Sequence, residues 1–421
     1  MKKSGERAIF LWYRAFLGLI LAVSTLCSVA YGDLSDLIIG HSKTTAGIHQ
    51  FQMVKVTDGS ELATDIYLPQ AEGGPWPTLL IRSYYGRSFN YNRYIEQGYA
   101  MVVQDVRGMG GSAGQAHVFF YDGWRPGLVD GVDTVRWVKA QPWCNGKIAT
   151  VGESALAMTQ MLLAPATQDL AAQFVELVPS NYYYDVVYHG GVFRKNLVEG
   201  WLLLMGQPQV TDLYRNHPRY DDFWGYYNTN ARAKDITAPA LFVNGWYDIF
   251  EQGTIDGFLA REQEGGEGAR GNNYLILRWS THTNREVEDY KLNENRKSVD
   301  IGDIRNKFLA YHLKEDKKAL DGIPKVQYYV MGDDRDPSAP GNEWRSAETW
   351  PPFPTEETPF YLHENGVLRA QASDARAAQR GYLFNPKDPY PTHGGANLLP
   401  NLEAGPKDQR IYSEKRTDLL K

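Results

Sequence analysis

The chain has 421 residues, a formal net charge of −6, 43% hydrophobic residues and 22% charged residues. That length suggests two to three domains with a large core, and the composition excludes a disordered or fibrous protein. No Lys/Arg cluster is interleaved with exposed aromatics, so nucleic acid is not expected as a partner.

At the N-terminus Lys2, Lys3 and Arg7 precede an apolar stretch from Phe16 to Ala30 and then Ala30-Tyr31-Gly32. Residues 1–32 read as a secretory signal peptide, so the protein is expected to be exported to the periplasm or beyond. The uninterrupted apolar run is short for a membrane span, and no stable membrane association is expected once it is removed. A retained N-terminal anchor is the alternative. Leu26 is not the small residue that lipoprotein processing favours before Cys27. Removing the signal leaves Cys144 as the sole cysteine, which excludes an internal disulfide and a cysteine-based metal site.

From Phe51 to Pro69 two extended segments flank the turn dipeptide Asp58-Gly59 and predict a hairpin. Thr78 to Ile81 and Ala100 to Val103 are continuous apolar runs, as expected of strands buried on both faces. Val132, Val135 and Val138 recur every three residues, the spacing of an amphipathic crossover helix in a mostly parallel α/β sheet. Gly108 to Ala113 loosely resembles a dinucleotide fingerprint, but Gly114 and the aromatic stretch through Trp124-Arg125-Pro126 predict a loop where that motif needs a helix. Asp105 and Arg107 are expected to anchor this loop by charge-assisted bonds.

Lys147 to Val151 reads as a buried strand, and Ala155 to Ala164 as a helix. Ser154 lies at the junction in Gly152-Glu153-Ser154-Ala155-Leu156-Ala157, where a nucleophile would project above the sheet edge. The bland alternative is a helix-capping serine. Phe174 to Val178 is the next strand, followed by an irregular, Tyr- and Trp-rich stretch over about 181–237 that predicts a helical lid over an aromatic-walled pocket. Ala240 to Val243 then leads to Asp248, and Tyr274 to Leu277 leads to His282. Ser154, Asp248 and His282 each follow a strand's carboxyl end in that chain order, so a parallel sheet would bring them to one edge as a Ser-Asp-His triad. The histidines lack HExxH spacing, which argues against a zinc hydrolase.

Asp58-Gly59, Arg82 to Gly86, Gln104 to Gly108, Gln141-Pro142-Trp143, Gly152 to Ala157 and Gly245 to Asp248 together resemble the X-Pro dipeptidyl-peptidase and cocaine esterase family of serine hydrolases. The resemblance covers the chain from about Phe51 onward. It implies an α/β-hydrolase domain over residues 33–315, a helical lid insertion and a C-terminal jelly-roll β domain. It also implies cleavage of a small-molecule ester, an amide or a short X-Pro peptide through an acyl-enzyme, with no cofactor and no metal. Tyr85 matches the family's oxyanion-donating tyrosine, with Tyr84 as the competing donor, and Ala155 would supply the second donor through its backbone N–H. The sequence departs from the family at Ala155, where a tyrosine is usual. It also departs in the run before His282, which reads Leu277-Arg278-Trp279-Ser280-Thr281 and lacks the family's Gly-Pro.

Lys325 to Met331, Thr358 to His363 and Gly381 to Phe384 read as strands between Pro- and Gly-rich turns, so residues 316–421 are expected to form a partial jelly roll, with homo-oligomer formation as one way to cover its edge. The alternative of a different class is a secreted, non-catalytic binding protein on a hydrolase fold.

Overall fold

The computed structural model describes residues 43–410, except 70–72, 284–288, 293, 337, 376, 378, 380, 382–384, 400 and 401. The signal-peptide reading therefore lies outside the described residues. The Asp58-Gly59 hairpin is formed by β1 (Ile48–Lys55) and β2 (Glu61–Leu68), with Ile48 opposite Leu68. Gly59 has φ of 88°, which a side chain would resist.

The remaining main-sheet strands are β3 (Trp76–Ser83), β4 (Ala100–Asp105), β5 (Cys144–Glu153), β6 (Ala172–Glu176), β9 (Ala240–Tyr247), β10 (Tyr274–Thr281), β11 (Val326–Val330) and β12 (Glu343–Ala347). A short hairpin, β7 (Tyr188–His189) and β8 (Val192–Phe193), falls between β6 and β9. The ten-stranded sheet has the order β1-β2-β4-β3-β5-β6-β9-β10-β11-β12. From β4 to β11 every neighbouring pair is parallel, while β2 and β12 run antiparallel to the strands beside them.

The continuous apolar runs are explained by helices on both faces. In β3, Leu79 and Ile81 pack with Ile304, Phe308 and Leu309 of the helix Ile301–Leu313. Leu80, between them, packs on the other face with Val132, Val135 and Val138 of the helix Asp130–Lys139. Adjacent residues of one strand thus enter different cores, so neither face can be polar. Fully burying a Leu, Ile or Val side chain contributes roughly 1.5–3 kcal/mol each, which makes this sandwich of layers a stiff platform for its carboxyl edge.

The order of the sheet reverses at β3: the chain leaves β3 for β4 on one side and returns to β5 on the other. At such a switch point the loops diverge and leave a crevice above the strand ends. Tyr85 follows β3 and Ser154 follows β5, so both border it. The insertion between β6 and β9, where the lid is expected, includes the helices Lys195–Leu204 and Val210–Arg215. Its aromatic load is mainly packing: Trp224, Tyr214 and Tyr227 are almost fully buried and surround Tyr182 in a continuous aromatic cluster.

The C-terminal part differs from expectation. Lys325 to Met331 does not start a separate β module: Val326–Val330 pairs parallel with β10 as part of the central sheet, and β12 follows it there. The sheet thus runs past residue 315. Beyond Ala347 the described strands are only β13 (Tyr361–Leu362), inside the expected Thr358 to His363 strand, and its partner β14 (Leu368–Arg369), which lies after it, and no two-sheet sandwich exists among the described residues. The strand expected at Gly381 to Phe384 falls almost entirely outside the described residues.

Candidate active site

Ser154 follows the last residue of β5, and the helix Ala155–Leu163 begins immediately after it. The reversal from strand to helix in one residue holds Ser154 at φ 55° and ψ −124°, a conformation that costs a non-glycine residue on the order of 1–3 kcal/mol. The surroundings enforce it: Ser154 N–H donates to Glu176 O, and Ser154 O accepts from Ala157 and Met158 N–H, all at 2.9 Å. Small neighbours are needed for this turn. A Cβ on Gly152, which has φ of 147°, would lie 2.7 Å from Leu156 Cβ, and Ala157 is completely buried. Ser154 is not a helix-capping serine, because its side chain makes no cap hydrogen bond.

Asp248 and His282 directly follow β9 and β10, adjacent parallel strands, so the two side chains meet across one strand spacing. Asp248 Oδ2 accepts from His282 Nδ1, and its Oδ1 accepts from Phe250 N–H at 2.7 Å. A carboxylate can only accept, so the imidazole proton sits on Nδ1 and Nε2 is left as an acceptor facing Ser154 Oγ at 2.9 Å. Asp248 and His282 are each only 3% exposed, and the Phe250 ring packs edge-on against the imidazole at 5.6 Å. The departure from Gly-Pro before His282 therefore does not displace the histidine.

Tyr84 and Tyr85 have different surroundings. Tyr84 is buried: its hydroxyl donates to Asp122 Oδ2 at 3.0 Å and accepts from Phe119 N–H at 2.5 Å, and Asp122 is also paired with Arg82. The Tyr84 hydroxyl is thus committed to the scaffold. The Tyr85 hydroxyl instead engages Ser154 and accepts from Trp201 Nε1–H at 3.2 Å. Burial pushes the Tyr85 phenol up to about 12, so it remains a proton donor at neutral pH. Ala155 is the first residue of the helix, where backbone N–H groups have no intrahelical acceptor.

An apolar pocket opens beside Ser154. Its walls include Phe119, Met158, Leu197, Trp201 and Phe250, and among the described residues no carboxylate or basic side chain lines it. Leu398, from the C-terminal segment, completes the wall. The neighbouring loop after β4 is anchored electrostatically, but Asp105 and Arg107 use different partners: Asp105 accepts from Arg87 and from Gly111 N–H, while Arg107 binds Asp58 and Asp130. Among the described residues no three His, Cys, Asp or Glu side chains cluster as metal ligands would.

The sequence matches the X-Pro dipeptidyl-peptidase (S15) family over residues 58–212 and 204–284, more than half of the chain. The chain belongs to this family of hydrolases. It is 28% identical to the cocaine esterase of Rhodococcus sp. (strain MB1 Bresler), over 87% of this chain and 72% of that protein. In fold it is similar to a CocE/NonD family hydrolase from Staphylococcus aureus, with a TM-score of 0.62, 21% identity and coverage of 78% of this chain and 64% of that one. It is likewise similar to an aminopeptidase from the marine sediment archaeon Thaumarchaeota archaeon, with a TM-score of 0.65, 20% identity and coverage of 84% and 67%. The chain thus spans about two thirds of the length of these structural relatives. These relatives support the α/β-hydrolase architecture. Trp201 and Tyr182, in the Tyr- and Trp-rich stretch expected to wall a pocket, do line the pocket beside Ser154. Sequence reasoning missed Phe119 and Leu398, because nothing local in the chain marks them as neighbours of Ser154.

Proposed function

We propose that the chain is an exported serine hydrolase that cleaves esters of apolar carboxylic acids, with Ser154 as nucleophile, His282 as general base and Asp248 as the orienting carboxylate. The observation that carries this reading is the hydrogen-bonded line from Asp248 through His282 to Ser154, at the mouth of an apolar pocket. His282 Nε2 takes the Ser154 proton as Oγ bonds to the ester carbonyl carbon. The oxyanion then forms between the Tyr85 hydroxyl and the Ala155 N–H. Its collapse expels the alcohol, which takes its proton from His282. Water, deprotonated by the same imidazole, releases the acid and restores Ser154. None of these steps calls for a cofactor.

The family match also favours X-Pro peptides as substrates. A free peptide amine would need a carboxylate partner, whereas the described pocket walls are apolar side chains, which supports an ester with an apolar acyl group. The cocaine esterase relative agrees with that choice. A panel of aryl esters and X-Pro anilides distinguishes the two: faster turnover of the esters is expected, and faster turnover of the anilides would overturn the ester assignment. A non-catalytic binding protein would turn over neither. Export is tested by fractionating cells that express the full chain, the mature protein being expected outside the cytoplasm.

A further inference from the structure

Trp201 stands on the lid helix Lys195–Leu204, 116 residues from Tyr85, yet its indole N–H reaches the Tyr85 hydroxyl at 3.2 Å. An indole nitrogen can only donate, whereas a phenol donates one proton and accepts on its lone pairs. Trp201 therefore occupies a lone pair of the Tyr85 oxygen, and the phenolic proton must point elsewhere. The other polar side chain that this hydroxyl interacts with is Ser154.

The indole is itself held in place. The Phe119 ring lies parallel to it, with centroids 5.8 Å apart and planes 5° apart, and Tyr84 packs edge-on at 6.3 Å. Phe119 has φ of 56°, a conformation that persists in a non-glycine residue only where the surroundings enforce it. Here the enforcing contact is Phe119 N–H on the Tyr84 hydroxyl, which in turn donates a hydrogen bond to the Asp122 carboxylate held by Arg82. A buried ion pair thus fixes Tyr84, Tyr84 fixes Phe119, Phe119 fixes the plane of Trp201, and Trp201 meets Tyr85.

We propose that Trp201 is a positioning residue of the oxyanion hole: its indole N–H fixes the Tyr85 hydroxyl so that the phenolic proton faces the oxygen that becomes negative on the Ser154-bound carbonyl. This rests on the reading of Tyr85 as an oxyanion donor. A donor on the phenol oxygen also polarises its O–H bond and strengthens the hydrogen bond that it gives. Because Trp201 also lines the acyl pocket, the lid contributes both to the pocket wall and to the orientation of the oxyanion donor.

The test is a double-mutant cycle on hydrolysis of p-nitrophenyl acetate, whose small acyl group makes little use of the pocket wall. Trp201→Phe keeps the aromatic packing and loses the N–H; kcat is expected to fall by about tenfold, the scale of one neutral hydrogen bond, with KM nearly unchanged. In a Tyr85→Phe background the same substitution should cost almost nothing further. Trp201→His places a ring nitrogen where the indole N–H stood and should be faster than Trp201→Phe. Thermal melts accompany each variant. A Trp201→Phe loss confined to KM, losses that add fully across the cycle, an unaltered kcat or a histidine variant no faster than the phenylalanine one would overturn the proposal. Full activity in Tyr85→Phe would instead overturn the oxyanion reading beneath it.

Discussion

Replacing Asp248 with asparagine reverses the logic of the site without removing an atom from it. Asp248 Oδ1 accepts the Phe250 N–H at 2.7 Å, and Oδ2 accepts the proton of His282 Nδ1. In Asp248→Asn the side-chain oxygen is expected to stay opposite Phe250, since facing that buried N–H with an NH2 group would cost about 1–3 kcal/mol. The NH2 group then faces His282 Nδ1, which can pair with it only as an acceptor, so the ring proton moves to Nε2. Nε2 lies 2.9 Å from Ser154 Oγ and must take the serine proton, which the wrong tautomer cannot do. Water is poorly placed to relieve this, because both residues are 3% exposed. The expected loss in kcat is about 10^4, equivalent to about 5 kcal/mol of barrier, with the thermal midpoint nearly unchanged. Steady-state hydrolysis of an aryl ester, with a melt alongside, reads both quantities. A loss below about tenfold, less than 1.4 kcal/mol, in a folded variant would refute the tautomer argument.

Tyr84→Phe and Tyr85→Phe should separate stability from catalysis. The first leaves Asp122 and the Phe119 N–H short of a partner and should lower stability by about 1–3 kcal/mol. The second should lower kcat by roughly a hundredfold or more, measured as turnover of the same ester, and the opposite pattern would mean that the donor has been misassigned. Ser154→Ala and Ser154→Gly should both abolish turnover, and the glycine variant should melt no lower than the alanine variant, because only glycine takes φ of 55° without strain. Gly245→Ala should disrupt the site from a distance: its Cβ would lie 2.2 Å from Ser280 O, forcing β9 and β10 apart just before Asp248 and His282. Reduced activity and a lower melting temperature are expected together. Burial, reinforced by Asp248 and Asp256, pushes the Glu251 carboxyl up to about 7 from an ordinary 4.5. The folded state then holds that proton where the unfolded state has lost it, so Glu251 makes stability fall as pH rises from 4.5 towards 7. A series of melts across that range should show a shallower decline for Glu251→Gln.

Elements governed by local pattern were legible in the chain. The runs at Leu79 to Ile81 and Met101 to Val103 could satisfy two buried faces only as central parallel strands, and that direction brings Ser154, Asp248 and His282 to one edge. What depends on partners remote in sequence was not legible. Val326 to Val330 reads equally well as the first strand of a β module and as an added strand of the central sheet; its pairing with β10 is a tertiary fact. Tyr84 and Tyr85 are the same residue type side by side, and only the direction of the chain after β3 decides which hydroxyl is used by Asp122 and which faces Ser154. Arg107 and Asp105 are close in sequence and opposite in charge, yet each is better matched geometrically by a residue from another strand or loop. The positive φ of Phe119 carries no sequence signal, because phenylalanine has no preference for it.

The central claim is that Ser154 is the nucleophile of an acyl-enzyme. Reaction of the full chain with a fluorophosphonate, followed by intact mass and peptide mapping, tests it directly. One adduct per chain is expected, on the peptide carrying Ser154, with loss of esterase activity in proportion to labelling and no adduct in Ser154→Ala. Undiminished ester hydrolysis by Ser154→Ala, or inactivation with the adduct on any other residue, would contradict the account.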